Sequence, residues 1–388
     1  MKKILFICPK PPYPLDDGGK IRIFQSLYFL SKRYEVDLLY IYDNENVRII
    51  NEGIQMLVNN IFPFRISKYK RLFYGLRFLL NKKPIRNNML YSREIQRWID
   101  KHICNYDTIF CQTLRMAEYF IKHPSVKRYV DFVDAVSMNY EKTSLRTSLF
   151  RSFYYKIDFS LLTKYEDFIL NQFDKCSIIS QVDKDYIERR QGKKTKLKVV
   201  GNMVSIPTKI VHPSSCANNI LFVGKMSYEP NVLAVTNFVE NIFPSILESY
   251  PDAKFYIVGA TPANRIKALA NDNIIVTGFV DDLFEYYSKA AIVIAPMISG
   301  AGIQNKIIQA MSFGCCVLTT TIGTEGLSSI DSGLIVGDSH LDIAEKIKYL
   351  LSHSAERDSA GLLARNYVIS TMREDVVYGE FCQFIDSN

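Results

Sequence analysis

The chain has 388 residues, of which 48% are apolar and 23% charged, and a formal net charge of +8. That length exceeds one ordinary core and that balance excludes a disordered chain, so two folded domains are expected. No segment reaches the ~18 consecutive apolar residues of a spanning helix. The eight cysteines include no C-x-x-C pair and the five histidines no ligand spacing, so free thiols and no structural metal are expected.

The opening MKKILFICPK places two lysines before an apolar run. That run, Ile4 to Cys8, is shorter than the roughly 7–15 residues of a signal peptide's apolar region and reads as a first strand, Lys3–Cys8. A soluble chain without an export signal is the expectation. A loop from Pro9 to Gly19 ends in Gly18 and Gly19, directly before an amphipathic helix over Lys20–Lys32 with Ile21, Phe24, Leu27 and Tyr28 on one face. Strand Glu35–Tyr42 completes a β-α-β unit, which predicts a parallel sheet. Ligands sit past the carboxyl ends of such strands, where this loop lies; a tight turn that merely needs glycine explains the pair as well.

Between Arg65 and Asn88 stand eight basic residues and no acid. Tyr69, Leu72, Phe73, Leu76, Leu79 and Leu80 recur there at helical spacing, beside a basic flank that also carries Tyr74 and Phe78. Two readings stay open: a core helix with a solvated face, and peripheral contact with an anionic membrane. No nucleic-acid-binding motif accompanies the charge, so nucleic acid is not an expected partner.

Strands are expected at Thr108–Cys111 and Arg128–Phe132. Polar residues follow them, Gln112 and Arg115 after the first and Asp134 and Ser137 after the second, with Asp131 inside the second; such positions are candidate site residues. A long helical pattern covers 139–173, a strand Cys176–Ser180, and Ser180 with Asp183 resembles a helix cap. Arg189–Lys198 reads as solvated surface, and Val200–Asn219 as a linker. Alternation then restarts: strand Ile220–Val223, a helix over about 231–248, strands Lys254–Val258 and Ile274–Thr277, helix Leu283–Lys289 and strand Ile292–Ala295. From about Thr371 the spacing of Val376, Val377, Phe381 and Phe384 predicts a last helix.

Residues Ile292–Thr320 run strand, glycine loop, helix, strand. The loop holds Gly300, Ala301 and Gly302, and the helix carries Lys306, one turn in, and Gln309. Glycines allow close backbone approach, and a helix N-terminus offers unpaired N–H groups to an anion. A Gly-x-Gly loop alone is also explained by turn glycines.

The segments FVGKMSYEPN (222–231), NIIVTGFVDDLFEYYSKA (273–290), APMISGAGIQNKIIQAM (295–311) and TTTIGTEGL (319–327) resemble the C-terminal half of GT-B glycosyltransferases of the group 1 (family 4) type, nearest the subgroup associated with exopolysaccharide systems. The resemblance implies an α/β protein with two Rossmann-like domains facing across a cleft. Residues 1–204 would bind the acceptor, with a helix over about 371–388 packing back on them, and residues 205–370 the nucleotide sugar. It further implies that Lys225 and Lys306 act on the leaving diphosphate, and that Gly18, Gly19, Gly300, Gly302 and Ile303 surround it. Phe279, Val280 and Gln309 would hold the nucleoside, and Glu325 the donor sugar or phosphate; Gln112, Arg115 and Asp134 are the acceptor-side candidates. The family's two paired glutamates are here Ala301 and Gln309, and its usual histidine is Gln112.

No metal and no cofactor are expected, because Lys225, Lys306 and a helix N-terminus supply positive potential at the leaving phosphate. The implied enzyme is a retaining transferase that moves a sugar to a glycan or polyprenyl-linked acceptor in bacterial surface polysaccharide synthesis. Its expected place is the cytoplasm, at the inner face of the cell membrane. Two alternatives remain at this level: a nucleotide-sugar epimerase or hydrolase on the same fold, and a degenerate binding protein without catalysis.

Overall fold

The computed structural model describes residues 1–144, 149–213, 218–299, 302, 304–327 and 331–386; of 142–144 and 149–154 it describes the backbone alone. The chain divides into two compact units, Met1–Asn202 with Tyr378–Asn388, and Met203–Val377.

The first unit is built on strands β1 (Lys2–Cys8), β2 (Tyr34–Tyr42), β3 (Asn60–Arg65), β4 (Thr108–Gln112), β5 (Lys127–Asp131), β6 (Lys175–Ile178) and β7 (Leu197–Val199). They form one parallel sheet in the order β3-β2-β1-β4-β5-β6-β7. Ile4 to Cys8 of the central strand are fully buried, as a parallel sheet covered on both faces requires. Two strands were not expected from the sequence. β3 contains Pro63, which lacks a ladder N–H and is tolerated because β3 is an edge strand. β7 overlaps the end of the run read as solvated surface, yet its Leu197 is buried at the opposite edge.

The first helix, Gly18–Ser31, is capped by Asp17, whose carboxylate accepts from Lys20 N at 2.9 Å. Of the predicted face only Leu27 is buried and Ile21, Phe24 and Tyr28 are half-buried, while Arg22, Ile23, Gln25, Ser26, Phe29 and Leu30 also face inward. Long-range partners decide this. Arg22 Nε donates to Asp131 Oδ2 at 2.8 Å, and Gln25 Nε2 to the Gly201 carbonyl at 3.0 Å. Pairing of this kind offsets the cost of bringing a charge into a core. Phe29 also meets Tyr378 and Phe381 of the last helix, Glu374–Asp386, at ring-centroid distances of 5.2 and 5.4 Å.

The stretch 65–88 overturns the core-helix reading. It forms short helices Lys68–Gly75 and Phe78–Asn81 and enters a third, Ile85–Leu90, with Lys82 in a left-handed conformation between the last two. The apolar stripe points outward: Leu72, Phe73, Leu79 and Leu80 are between 69% and 89% exposed, and Tyr69 and Leu76 are exposed as well. The side facing the core is Gly75 and Tyr74, the Tyr74 ring covered by the Arg77 guanidinium at 4.0 Å.

The second unit holds strands β8 (Asn219–Val223), β9 (Lys254–Val258), β10 (Ile274–Gly278), β11 (Ile292–Ala295), β12 (Val317–Thr319) and β13 (Ile335–Val336), parallel in the order β10-β9-β8-β11-β12-β13. The single helix expected over 231–248 is two, Glu229–Asn241 and Phe243–Ser249, because Pro244 cannot continue the hydrogen-bond ladder. In the first unit the helical pattern over 139–173 falls on described helices Val136–Ser144 and Leu149–Gln172. Part of the expected linker lies along this unit, with Val204 N bonded to Met372 O and Val211 N to Phe313 O. Among the described residues the cysteines are free and no helix is long and apolar enough to cross a membrane.

Candidate functional site

The carboxyl ends of β8 to β12 bring the second unit's loops together. Gly259 after β9 takes φ 152°, and a Cβ there would stand 1.8 Å from the Gly224 carbonyl, so only glycine lets these two loops meet. Thr319 and Thr320 donate to the carbonyls of Ala295 and Met297 at 2.7 Å, fixing the loop after β11.

Lys306 is the second residue of the helix Asn305–Ser312, so it lies in the first turn and not one turn in. Its ammonium donates to Asn231 Oδ1, lies 3.2 Å from Met297 Sδ and 5.1 Å from the centroid of the Phe222 ring. All three partners are neutral. Burial without a carboxylate pushes its pKa down to about 8. Asn231 is buried and donates its Nδ2 to the Lys225 carbonyl at 3.1 Å, so one amide ties both lysine positions together. The Lys225 side chain is exposed, and among the described residues its ammonium has no hydrogen bond or ion pair.

Asn231 closes the motif FVGKMSYEPN, which by itself assigns it no role. The available signal was a polar residue on the face that also carries Val232, Ala234, Val235 and Phe238.

Gly302 precedes the helix by three residues and does not open it; its φ is 72°. Its N–H donates to Glu325 Oε2 at 3.0 Å, so a carboxylate already meets the loop amide expected to serve a phosphate. Gly300, Ala301 and Ile303 lie outside the described residues. Gln309 is half-buried, and its Oε1 accepts from the hydroxyl of the fully buried Tyr287 at 3.4 Å. Beyond β10, Phe279 is 73% exposed while Val280 packs on the core.

The remaining candidates lie in the first unit. Gly19, Gln112, Arg115 and Asp134 line one cavity of about 330 Å³ there; Gly18, the first residue of the Gly18–Ser31 helix, is not among its walls. Gln112, the last residue of β4, is fully buried; its Nε2 donates to Asp131 Oδ2 at 2.8 Å and its Oε1 has no partner. Thr113 and Val133 in the same wall have φ of 74° and 69°. For β-branched residues this costs about 1–3 kcal/mol each, and such strain clusters at functional sites. Burial, with Asp183 nearby, pushes the Asp134 carboxyl up to about 6 against the opposing pull of Arg115. Burial and the neighbouring Arg86 push Arg115 down.

Residues 217–353 match the family described as glycosyl transferases group 1. An uncharacterized 44.6 kDa protein in the cps region of Klebsiella pneumoniae is 23% identical over 345 residues, covering 84% of each chain. Among solved structures the chain is similar to sucrose-phosphate synthase from Thermosynechococcus elongatus, with TM-score 0.69, 14% identity and coverage of 99% and 98%. It is also similar to Anabaena HepE in complex with UDP and glucose, with TM-score 0.68, 11% identity and full coverage of both chains. Two parallel sheets and these structural likenesses give the chain the GT-B fold, and its residues 217–353 match the family of group 1 glycosyl transferases.

Proposed function

We propose that the enzyme moves a sugar from a nucleoside diphosphate sugar, held on the Met203–Val377 unit, to a glycan or lipid-linked glycan acceptor held on the other unit. The observation that carries this reading is the Lys306 ammonium, drawn out of water with only neutral partners. A diphosphate supplies the missing counter-charge. In the reaction the bond between the sugar's anomeric carbon and the diphosphate oxygen breaks, its electron pair staying on the diphosphate. The acceptor oxygen bonds to that carbon, and its proton goes to the released diphosphate. Lys306, Lys225 and the loop amide of Gly302 face the growing negative charge, which is where fixed positive potential lowers the barrier most. A phosphate that takes the Gly302 N–H displaces the Glu325 carboxylate from that amide.

With three such positive groups in one place the reaction runs without a divalent metal, and with retention of anomeric configuration as the family resemblance implies. HepE, which holds UDP and glucose, makes uridine donors the first to test. The relative in a cps region supports assembly of a surface polysaccharide. The exposed apolar face of residues 69–80, set among basic side chains, supports docking on an anionic bilayer at the inner face of the cell membrane.

Calorimetric titration with UDP, GDP, ADP and TDP, followed by transfer assays with the matching sugars, tests the reading. One nucleotide is expected to bind and its sugar to be consumed. Absence of binding to every nucleotide, with no sugar turnover, sinks it.

A further inference from the structure

We infer that the cavity of the first unit binds a phosphate or diphosphate group carried by the acceptor. This rests on the reading above, in which this unit receives the acceptor, and adds its chemical class.

Four cationic side chains line the cavity, Lys10, Arg71, Arg86 and Arg115, against one lining carboxylate, Asp134. Lys10 is paired with Asp17 at 2.5 Å. The arginines are not neutralised in this way. Arg71 spends its Nε on the Ile66 carbonyl at 2.9 Å, and Arg86 lies over the Tyr140 ring at 5.6 Å. Among the described residues the Arg115 guanidinium has no hydrogen bond or ion pair at all. Two further acids act on these arginines: Asp158, fully buried, gives one oxygen to Ile85 N at 2.8 Å, and Glu45 interacts with Arg71 without an ion-pair contact.

Three guanidinium groups and an ammonium around a single lining carboxylate leave an excess of positive charge, and guanidinium groups match the planar, multi-oxygen face of phosphate better than any neutral sugar. The unpartnered Gln112 Oε1 adds an acceptor for one hydroxyl beside that anion. The volume of about 330 Å³ is of the size that holds a small ligand. Arg71 and Arg86 belong to the stretch whose apolar face is exposed, so an anion bound here is held by the same segment that meets a bilayer. A lipid-linked phosphate and a free sugar phosphate share this chemistry, and the test separates them.

The full chain carrying Lys306→Met, which silences the donor loop, is titrated calorimetrically with inorganic diphosphate, farnesyl diphosphate and octyl glucoside. Both diphosphates are expected to bind, and adding Arg115→Met or Arg86→Gln to weaken them by about ten-fold or more. Tighter binding of farnesyl diphosphate than of inorganic diphosphate assigns a lipid-linked acceptor; equal binding assigns a free phosphate. No diphosphate binding in the Lys306→Met background, or binding untouched by both arginine changes, overturns the inference. Arg86 is exposed, so Arg86→Gln keeps the test decisive if Arg115→Met fails to fold. Nucleotide binding by the otherwise unaltered Arg86→Gln chain reports separately on the transferase reading.

Discussion

The Lys306 ammonium donates to the side-chain oxygen of Asn231, a buried and neutral partner 75 residues away in sequence. Two arginines of the first unit are served differently: Arg22 meets Asp131, and Arg190 meets Glu166 and Asp167. These two arginines are given carboxylates, whereas Lys306 is oriented without being neutralised. Asn231→Asp is therefore expected to harm the enzyme although it strengthens the contact. The new carboxylate cancels the charge offered to a diphosphate, and nucleotide affinity should fall by about ten-fold, roughly 1.4 kcal/mol. Asn231→Ala removes a hydrogen bond to a charged group, and kcat/KM is expected to drop by a similar factor. Calorimetry and steady-state kinetics on the two variants check both outcomes.

Lys306 also sets a pH dependence. Its pKa is lowered to about 8, so the charged, competent form predominates below that pH and is lost above it. The profile of kcat/KM for the donor should bend downward as pH rises through about 8, because that parameter follows the free enzyme. Lys306→Arg keeps the charge at all accessible pH values and should remove the bend. Lys306→Met should flatten the profile at a rate lower by about 10²-fold.

The exposed face of residues 69–80 allows the proposed membrane docking to be tested apart from folding. Replacing Leu72, Phe73 and Leu79 together by serine should abolish co-sedimentation with anionic vesicles. It should leave the melting temperature within a degree or two, since side chains so exposed contribute little to stability. In the unaltered chain, raising salt should weaken sedimentation, as charge attraction is screened over about 10 Å at 0.1 M.

Asp134 offers a stability test with a defined sign. Its folded pKa, about 6, lies above the ordinary carboxylate value, so the folded state holds the proton more tightly than the unfolded chain. The protonated form's advantage is complete below the unfolded value and is lost as pH rises through about 6. Asp134→Asn should therefore raise the melting temperature at pH 7.5, by about 1 kcal/mol of stability, and the gain should shrink toward pH 4. Scanning calorimetry at the two pH values reads it.

The parts legible in the sequence were those set by local pattern. β9 and β11 fall on the expected residues because strands buried on both faces are continuous apolar runs. Motif spacing located Lys225 and Lys306 without revealing Asn231, since what a buried amide touches depends on residues far along the chain. The same limit hid the inward turn of Arg22, whose partner Asp131 is 109 residues away. Periodicity reported a two-faced segment over 69–80 correctly but could not say whether protein or solvent covers its apolar side. Pro63 concealed an edge strand because proline argues against strands in general and permits them only at edges.

The last helix belongs with the first unit, where Phe381 and Phe384 sit among the rings of Phe29, Phe110 and Tyr129. Translation delivers those two phenylalanines only after all of Met203–Val377 has been made. At roughly 5–20 residues per second the emerging first unit waits on the order of 10–35 s with that aromatic groove uncovered. A nascent chain in this state is a substrate for ribosome-associated chaperones. A message truncated before Phe381 yields a sheet with its full set of strands but a permanently open, adhesive face.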